Sequence, residues 1–159
     1  MRLIVVLVSI FSALPVEAAE LVRFSGPPHV LEGDVLDVGT RRVRLYGIDA
    51  PEIKQTCQGP KRLHPCGKIA ATGLMDVTAG ATEITCKAFG TSAEGLTIAQ
   101  CLDPQGFDLS RQMLYTGWAL ATPKASAAFH QLEQASRAAG RGLWRWRVTA
   151  PWLWRSVQK

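Results

Sequence analysis

Arg44-Leu45-Tyr46-Gly47-Ile48-Asp49-Ala50-Pro51-Glu52 places a cation and two carboxylates around the end of an apolar, strand-like run and follows them with a proline turn. Upstream, Glu32-Gly33-Asp34 adds two more carboxylates around a glycine. Asp34 and Asp49 are hard oxygen donors of the kind that Ca²⁺ or Mg²⁺ needs, and a backbone carbonyl near Ala50 is a candidate third ligand. Glu52 can orient or deprotonate a water, and Arg44 can neutralise a phosphoryl oxygen through two N–H donors. Strand alternation would aim Arg44 and Asp49 at opposite faces, so such a site requires the strand to bend or stop before Asp49. Gly47 and Pro51 permit that. By residue type alone, an ordinary ion-pair network at a strand end competes with this reading on equal terms.

Around that stretch the front half of the chain reads as β structure. Leu21–Phe24, Val30–Val38 and Arg42–Ile48 are rich in β-branched or aromatic residues, and Gly39-Thr40 suits a tight hairpin turn between the last two. Thr82–Ala88 and Leu96–Leu102 read as two more strands joined by the loop Phe89–Gly95. Ala70, Gly73, Leu74 and Val77 form one apolar stripe on a helix over Gly67–Thr78. Asp108 is placed to cap a second helix running through Tyr115 and ended by Gly117. Ser126 is placed to cap a third, with Phe129, Leu132, Ala135 and Ser136 as its packing face and Gly140 as its stop. Five strands with helices between and after them suggest a small closed barrel with helices packed on it.

The first residues read differently. Met1-Arg2, the apolar run Leu3–Leu14 and the small-residue spacing of Val16-Glu17-Ala18-Ala19 describe a signal peptide over 1–18, cut after Ala18. The run is too short for a bilayer core, which takes roughly 20 apolar residues, so no membrane span is expected after cleavage. The remaining length of about 140 residues suits one domain, with no sign of an oligomer. Net charge is +5 and the pI about 9.3, which favours a polyanionic partner such as nucleic acid or acidic polysaccharide without choosing between them. Cys57, Cys66, Cys86 and Cys101 are an even set in an exported chain, periplasmic or secreted. Of the three possible connectivities, Cys57 with Cys66 and Cys86 with Cys101 are preferred: the first closes a loop, the second joins two predicted strands. No pair has the short spacing of a structural zinc site.

After Gly142, Trp144, Trp146, Trp152 and Trp154 alternate with Arg145, Arg147 and Arg155. Aromatics beside arginines can stack on bases, but tryptophans near a chain end more often cover exposed core while arginine stems pack over them. His29, His64 and His130 have no spacing that suggests a metal site or a catalytic pair. Neither a Gly-x-Ser-x-Gly elbow nor a phosphate-binding glycine loop occurs.

The collinear set formed by these two acidic segments with Cys66-Gly67, Asp108-Leu109, Gly117-Trp118-Ala119-Leu120-Ala121, Gly142-Leu143-Trp144 and Pro151-Trp152-Leu153-Trp154-Arg155 resembles the staphylococcal nuclease, or thermonuclease, family in its exported bacterial form. The resemblance implies an α+β, mainly β fold: a five-stranded OB-fold barrel with three helices packed on it, over 19–144, followed by a Trp/Arg-rich tail over 145–159. It also implies calcium-dependent cleavage of DNA and RNA. Asp34 and Asp49 match the calcium carboxylates, Ala50 the ligating carbonyl, Arg44 one of two phosphate arginines and Glu52 the carboxylate that positions water.

The second phosphate arginine is expected in a run like Asp-x-Tyr-Gly-Arg, where this chain has Ser92-Ala93-Glu94-Gly95-Leu96. Leu96 thus marks a lost catalytic arginine, a change that costs roughly 10³ to 10⁵ in rate at comparable arginine fingers. Thr122 and Lys124-Ala125-Ser126 stand where the family carries tyrosines near the nucleotide, Glu32 where Asp is usual, and Val35 replaces a common threonine. Two functions follow: a nuclease whose calcium-dependent hydrolysis is weak or lost, or a non-catalytic OB-fold binding or accessory protein of the cell envelope, in exopolysaccharide (succinoglycan) biosynthesis.

Overall fold

Pro27 and Pro28 lack N–H donors, so the first extended segment cannot pair as one uninterrupted strand. In the computed structural model, which describes residues 22–158, it divides there. The signal peptide expected over 1–18 lies outside the described residues. The chain runs through β1 (Arg23–Gly26), β2 (Pro28–Val30), β3 (Val35–Val38), β4 (Arg41–Leu45), β5 (Ile48–Asp49), β6 (Cys57–Gln58) and β7 (Leu63–His64) into α1 (Cys66–Val77). β8 (Ile84–Thr91), β9 (Thr97–Leu102), α2 (Leu109–Thr116), β10 (Leu120–Ala121), α3 (Ala127–Ala138), a 3₁₀ turn (Gly142–Arg145) and α4 (Pro151–Ser156) follow.

The main sheet has the order β1-β8-β9-β4-β3-β2, antiparallel except for the parallel pair β4 and β9. Consecutive strands β1 and β2 therefore form its two opposite edges. One segment can serve both edges only if the sheet curls until they approach, which gives the OB-like barrel. At the seam the Gly39 N–H donates to the Pro27 carbonyl at 3.0 Å, and a Cβ on Gly26 would stand 2.7 Å from the Gly39 nitrogen. Inside lie Leu36, Val38, Val43, Leu45, Ile84 and Ala99 of the sheet, closed off by Leu74 of α1, Leu109, Met113 and Leu114 of α2 and Phe129 of α3.

The α+β, mainly β architecture agrees with the reading of the sequence. Asp108 accepts from the Arg111 N–H at the start of α2, Gly117 ends it in the left-handed conformation, and Ser126 accepts from the Phe129 N–H at the start of α3. Both preferred disulfides are formed, Cys57–Cys66 and Cys86–Cys101, the latter between directly paired residues of β8 and β9.

Four expectations need correction. The single strand Val30–Val38 is broken by a turn at Leu31–Asp34, where the Leu31 and Glu32 N–H groups both donate to the Val35 carbonyl, so the main sheet has six strands rather than five. Arg42–Ile48 stops at Leu45. The strand expected to end at Ala88 continues to Thr91 through a register shift between Ala88 and Gly90. Ala135 is exposed on α3, where Phe129 and Ser136 do the packing.

Candidate active site

Two glycines bring the acidic segments together. β4 ends at Leu45, and Tyr46-Gly47 form a turn in which Gly47 has φ +77°, a left-handed conformation that a side chain would strain. A Cβ there would also stand 2.8 Å from the Phe129 ring. The Tyr46 N–H donates to the Ala99 carbonyl and the Ser110 hydroxyl to the Tyr46 carbonyl, fixing the turn on both sides. Asp49 resumes as β5, paired with β10 rather than with the main sheet. This break resolves the alternation problem: Arg44 and Asp49 act on one carboxylate cluster. Gly33 completes the approach, since a Cβ on it would stand 2.7 Å from the Ala50 Cβ, so the Glu32–Asp34 turn packs directly on the residue after Asp49.

Glu52 is held from its backbone. Its N–H donates to the side-chain oxygen of Gln55, and the Gln55 N–H donates to the Glu52 carbonyl at 2.7 Å. Gly67, at the start of α1, allows the helix to sit against that same carbonyl, and the Cys57–Cys66 disulfide fastens the junction.

The resulting cleft has a volume of about 390 Å³ and is lined by Glu32, Arg42, Arg44 and Glu52 with the apolar Leu31, Val35 and Leu96. Asp34 and Asp49 are buried beside it, 3% and 6% exposed. Arg44 is loosely held: its Nε lies 3.7 Å from Asp34 Oδ2, beyond hydrogen-bond distance, and its Nη1 donates to Glu94 at 3.4 Å. Asp34 Oδ2 and Arg44 Nε are both buried without a hydrogen-bond partner. Burial pushes the Asp34 carboxyl up to about 8, with Arg44 opposing and Asp49, Glu32 and Glu52 adding to the rise. Asp49 and Glu32 are also raised, chiefly by burial. A buried carboxylate oxygen without a donor, among like charges, is what a cation would satisfy. Among the described residues, no three His, Cys, Asp or Glu side chains are grouped to hold an ion by themselves, so carbonyl, water or substrate oxygens must complete any shell.

Reading the sequence missed Arg155. From α4 it forks onto Asp49, with Nη2 2.6 Å from Oδ2 and Nη1 3.0 Å from Oδ1, and Nη1 also donates to Glu52 Oε1. A Trp/Arg-rich composition carried no signal that one arginine would return to carboxylates more than a hundred positions earlier. The tryptophans behave as core covers: Trp144, Trp146 and Trp152 pack against Cys57, Cys66, Leu120 and Leu143. Arg145 lies over Trp118 and Trp146, and Arg137 over Trp144. His64 stacks on Trp146, His29 faces Asp37 and His130 lies on α3, so the histidines stay apart.

On the other side of Arg44, a second groove of about 370 Å³ includes Tyr46, Ile98, Thr122 and Lys124. The exposed ring of Tyr46 in this groove stands 4.7 Å from that of Phe89, with the Lys87 ammonium 5.6 Å from the Phe89 ring.

Residues 42–146 match the family described as Staphylococcal nuclease homologue. A Rhizobium meliloti protein named as succinoglycan biosynthesis protein ExoI is 26% identical over 122 residues, covering 76% of this chain and 64% of that protein. An Escherichia coli protein named as an uncharacterized endonuclease is 29% identical over 133 residues, covering 79% of this chain and 80% of that protein. A "probable staphylococcal-like nuclease" of Oryza sativa subsp. japonica is 31% identical over 121 residues, covering 74% of this chain and 30% of that protein.

Proposed function

Since the chain belongs to the staphylococcal nuclease family, we propose that it hydrolyses phosphodiester bonds of single-stranded nucleic acid in the presence of calcium. The observation that carries this reading is the convergence of Arg44, Asp34, Asp49 and Glu52, although an unbroken strand would have separated them. Asp34, Asp49 and the Ala50 carbonyl would hold the ion, and the unpartnered oxygen of Asp34 supports that assignment. Bound there, calcium supplies Lewis-acid neutralisation of phosphoryl charge. Arg44, free of a tight partner, offers its N–H groups to a non-bridging phosphate oxygen. Glu52 accepts a proton from the water whose oxygen forms the new bond to phosphorus, the phosphorus–oxygen ester bond opposite it breaks, and the leaving oxygen takes a proton from solvent and departs as an alcohol. Tyr46 and Phe89 offer an adjoining base a stacking surface, and Lys87 and Lys124 add positive charge. Leu96 gives the cleft an apolar wall, which makes Arg44 by itself a weak clamp and turnover slow.

The protein acts after export, in the periplasm or outside the cell. Two disulfides support an oxidising compartment, and among the described residues no helix is long and apolar enough to cross a membrane.

Release of acid-soluble nucleotides from single-stranded DNA by the purified protein, with calcium or chelator and beside Glu52→Ala, tests the activity. The expected result is calcium-dependent release that falls at least about 10²-fold in the variant, the scale of a lost general base. A folded wild type that releases nothing overturns it. A second reading, polyanion binding without hydrolysis, is favoured by Leu96 and by the Rhizobium relative's name. It predicts that the inert protein still retains single-stranded DNA or an acidic polysaccharide.

A further inference from the structure

We propose that the C-terminal helix is part of the active site and that Arg155 is its second substrate-binding guanidinium. This rests on the nucleic-acid reading above and goes beyond it, because it assigns a catalytic residue to the tail.

The approach of Arg155 is built into the fold. Gln58 and Arg147 exchange backbone hydrogen bonds at 3.1 and 2.9 Å, which fixes the register of the tail against the segment after Glu52. Gln55, fully buried, donates from its side-chain nitrogen to the Thr149 carbonyl at 2.7 Å while its oxygen accepts from the Glu52 N–H. One side chain thus ties the backbone of Glu52 to the residues just before α4. Pro151 starts that helix and is buried, and Trp152 and Ala150 pack beneath it on the Cys57–Cys66 cluster. These contacts hold α4 independently of the ionic contacts of Arg155.

The guanidinium then sits on both groups that matter for the reaction, Asp49 and Glu52. A guanidinium has five N–H donors. The three contacts with Asp49 and Glu52 leave two without an acceptor among the described residues, and the side chain is 33% exposed. An arginine serving only to neutralise a buried carboxylate would have no reason to lean on Glu52, which lines the cleft. Glu32, Asp34, Asp49, Glu52 and Glu94 outnumber Arg44 and Arg155 around the cleft, so an excess of negative charge remains for a cation beside Arg155. The carboxylate of Asp49 retains lone pairs for an ion after accepting both N–H bonds. Arg44 approaches from β4 and Arg155 from α4, while Leu96 contributes only apolar surface. A phosphate lying against Glu52 comes within reach of both guanidiniums.

The test reads substrate binding as well as turnover. Affinity for a short phosphorothioate oligodeoxynucleotide, followed by fluorescence anisotropy with calcium present, is measured for wild type, Arg155→Ala, Arg155→Lys, Arg23→Ala and the double variant Leu96→Arg/Arg155→Ala. Calcium affinity is measured by calorimetry and folding by circular dichroism. The expected result is an affinity loss of about tenfold or more in Arg155→Ala, the scale of one charge-assisted contact. Arg155→Lys loses less, Arg23→Ala removes the same charge from exposed β1 with little effect, and Leu96→Arg restores binding in the double variant. Calcium affinity stays within a few-fold of wild type, and where the wild type cleaves DNA the turnover follows the same order. Unchanged oligonucleotide affinity in folded Arg155→Ala overturns the proposal. So does tighter calcium binding in that variant, which would make Arg155 an internal cation competing with the metal. If Arg155→Ala does not fold, Arg155→Lys decides: wild-type affinity with the guanidinium replaced by an ammonium counts against it. A wild type that binds through Arg155 but never cleaves refutes hydrolysis and leaves this inference standing.

Discussion

At the scale of single residues, the site depends on one glycine that no other residue replaces and one carboxylate left without a donor. Gly47 has φ +77° and faces the Phe129 ring at contact distance, so Gly47→Ala combines backbone strain with a collision. We expect it to lower stability by about 2 kcal/mol, in the range for a strained left-handed residue. Chemical denaturation measures that, and a loss under about 0.5 kcal/mol, no more than an ordinary surface substitution gives, would show that the turn tolerates a side chain. Asp34 behaves in the opposite way. Its Oδ2 is buried without a hydrogen-bond partner among other carboxylates, so Asp34→Asn removes a group that is costly to ionise in the metal-free protein. The variant should unfold no earlier than wild type in chelator, read from its melting temperature. A loss above about 1 kcal/mol would mean that Arg44 already pairs with Asp34 productively, despite their 3.7 Å separation.

Among the elements, the site is assembled at junctions rather than within the strands and helices they join. Gln55 is fully buried and connects the Glu52 turn to Thr149 ahead of α4. Gln55→Ala should cost about 2 kcal/mol, because a buried N–H and a carbonyl lose their partners together. It should also weaken oligonucleotide binding as Arg155→Ala does. Full stability with unaltered binding would show that the tail docks through its tryptophans alone. The same junctions explain what was legible beforehand. Asp108, Gly117 and Ser126 are readable because capping is local, and the two disulfides because an even cysteine set, one short loop and two neighbouring strands favour that pairing. The break at Leu31–Asp34 was not, since Gly33 is needed there to admit Ala50 and Ala70, which are distant in sequence. Arg155 was illegible for the same reason: its contacts exist only once Gln55, Gln58 and Cys66 have seated the tail.

At the scale of the whole molecule, barrel closure and site assembly are coupled. The bend at Pro27 makes one segment serve both edges of the sheet, and the curl positions the Glu32–Asp34 turn, the end of β4 and the mouth of β9 around one cleft. α1 and the tail then cover the side that the sheet leaves open, fastened by the Cys57–Cys66 disulfide. The chain carries a net charge of +5, while the pocket is itself rich in carboxylates. That combination suits an anionic polymer drawn in from a distance and an ion held at the point of contact. All of this rests on the converging carboxylates binding calcium. Calorimetric titration with calcium of wild type beside Asp34→Asn tests it directly. One ion per chain is expected, bound in the range of about 10⁻⁴ to 10⁻³ M or tighter as in extracellular calcium modules, with binding abolished in the variant. Wild type that takes up no calcium at millimolar concentration, or a variant that binds it equally well, would show that these carboxylates are not a calcium site.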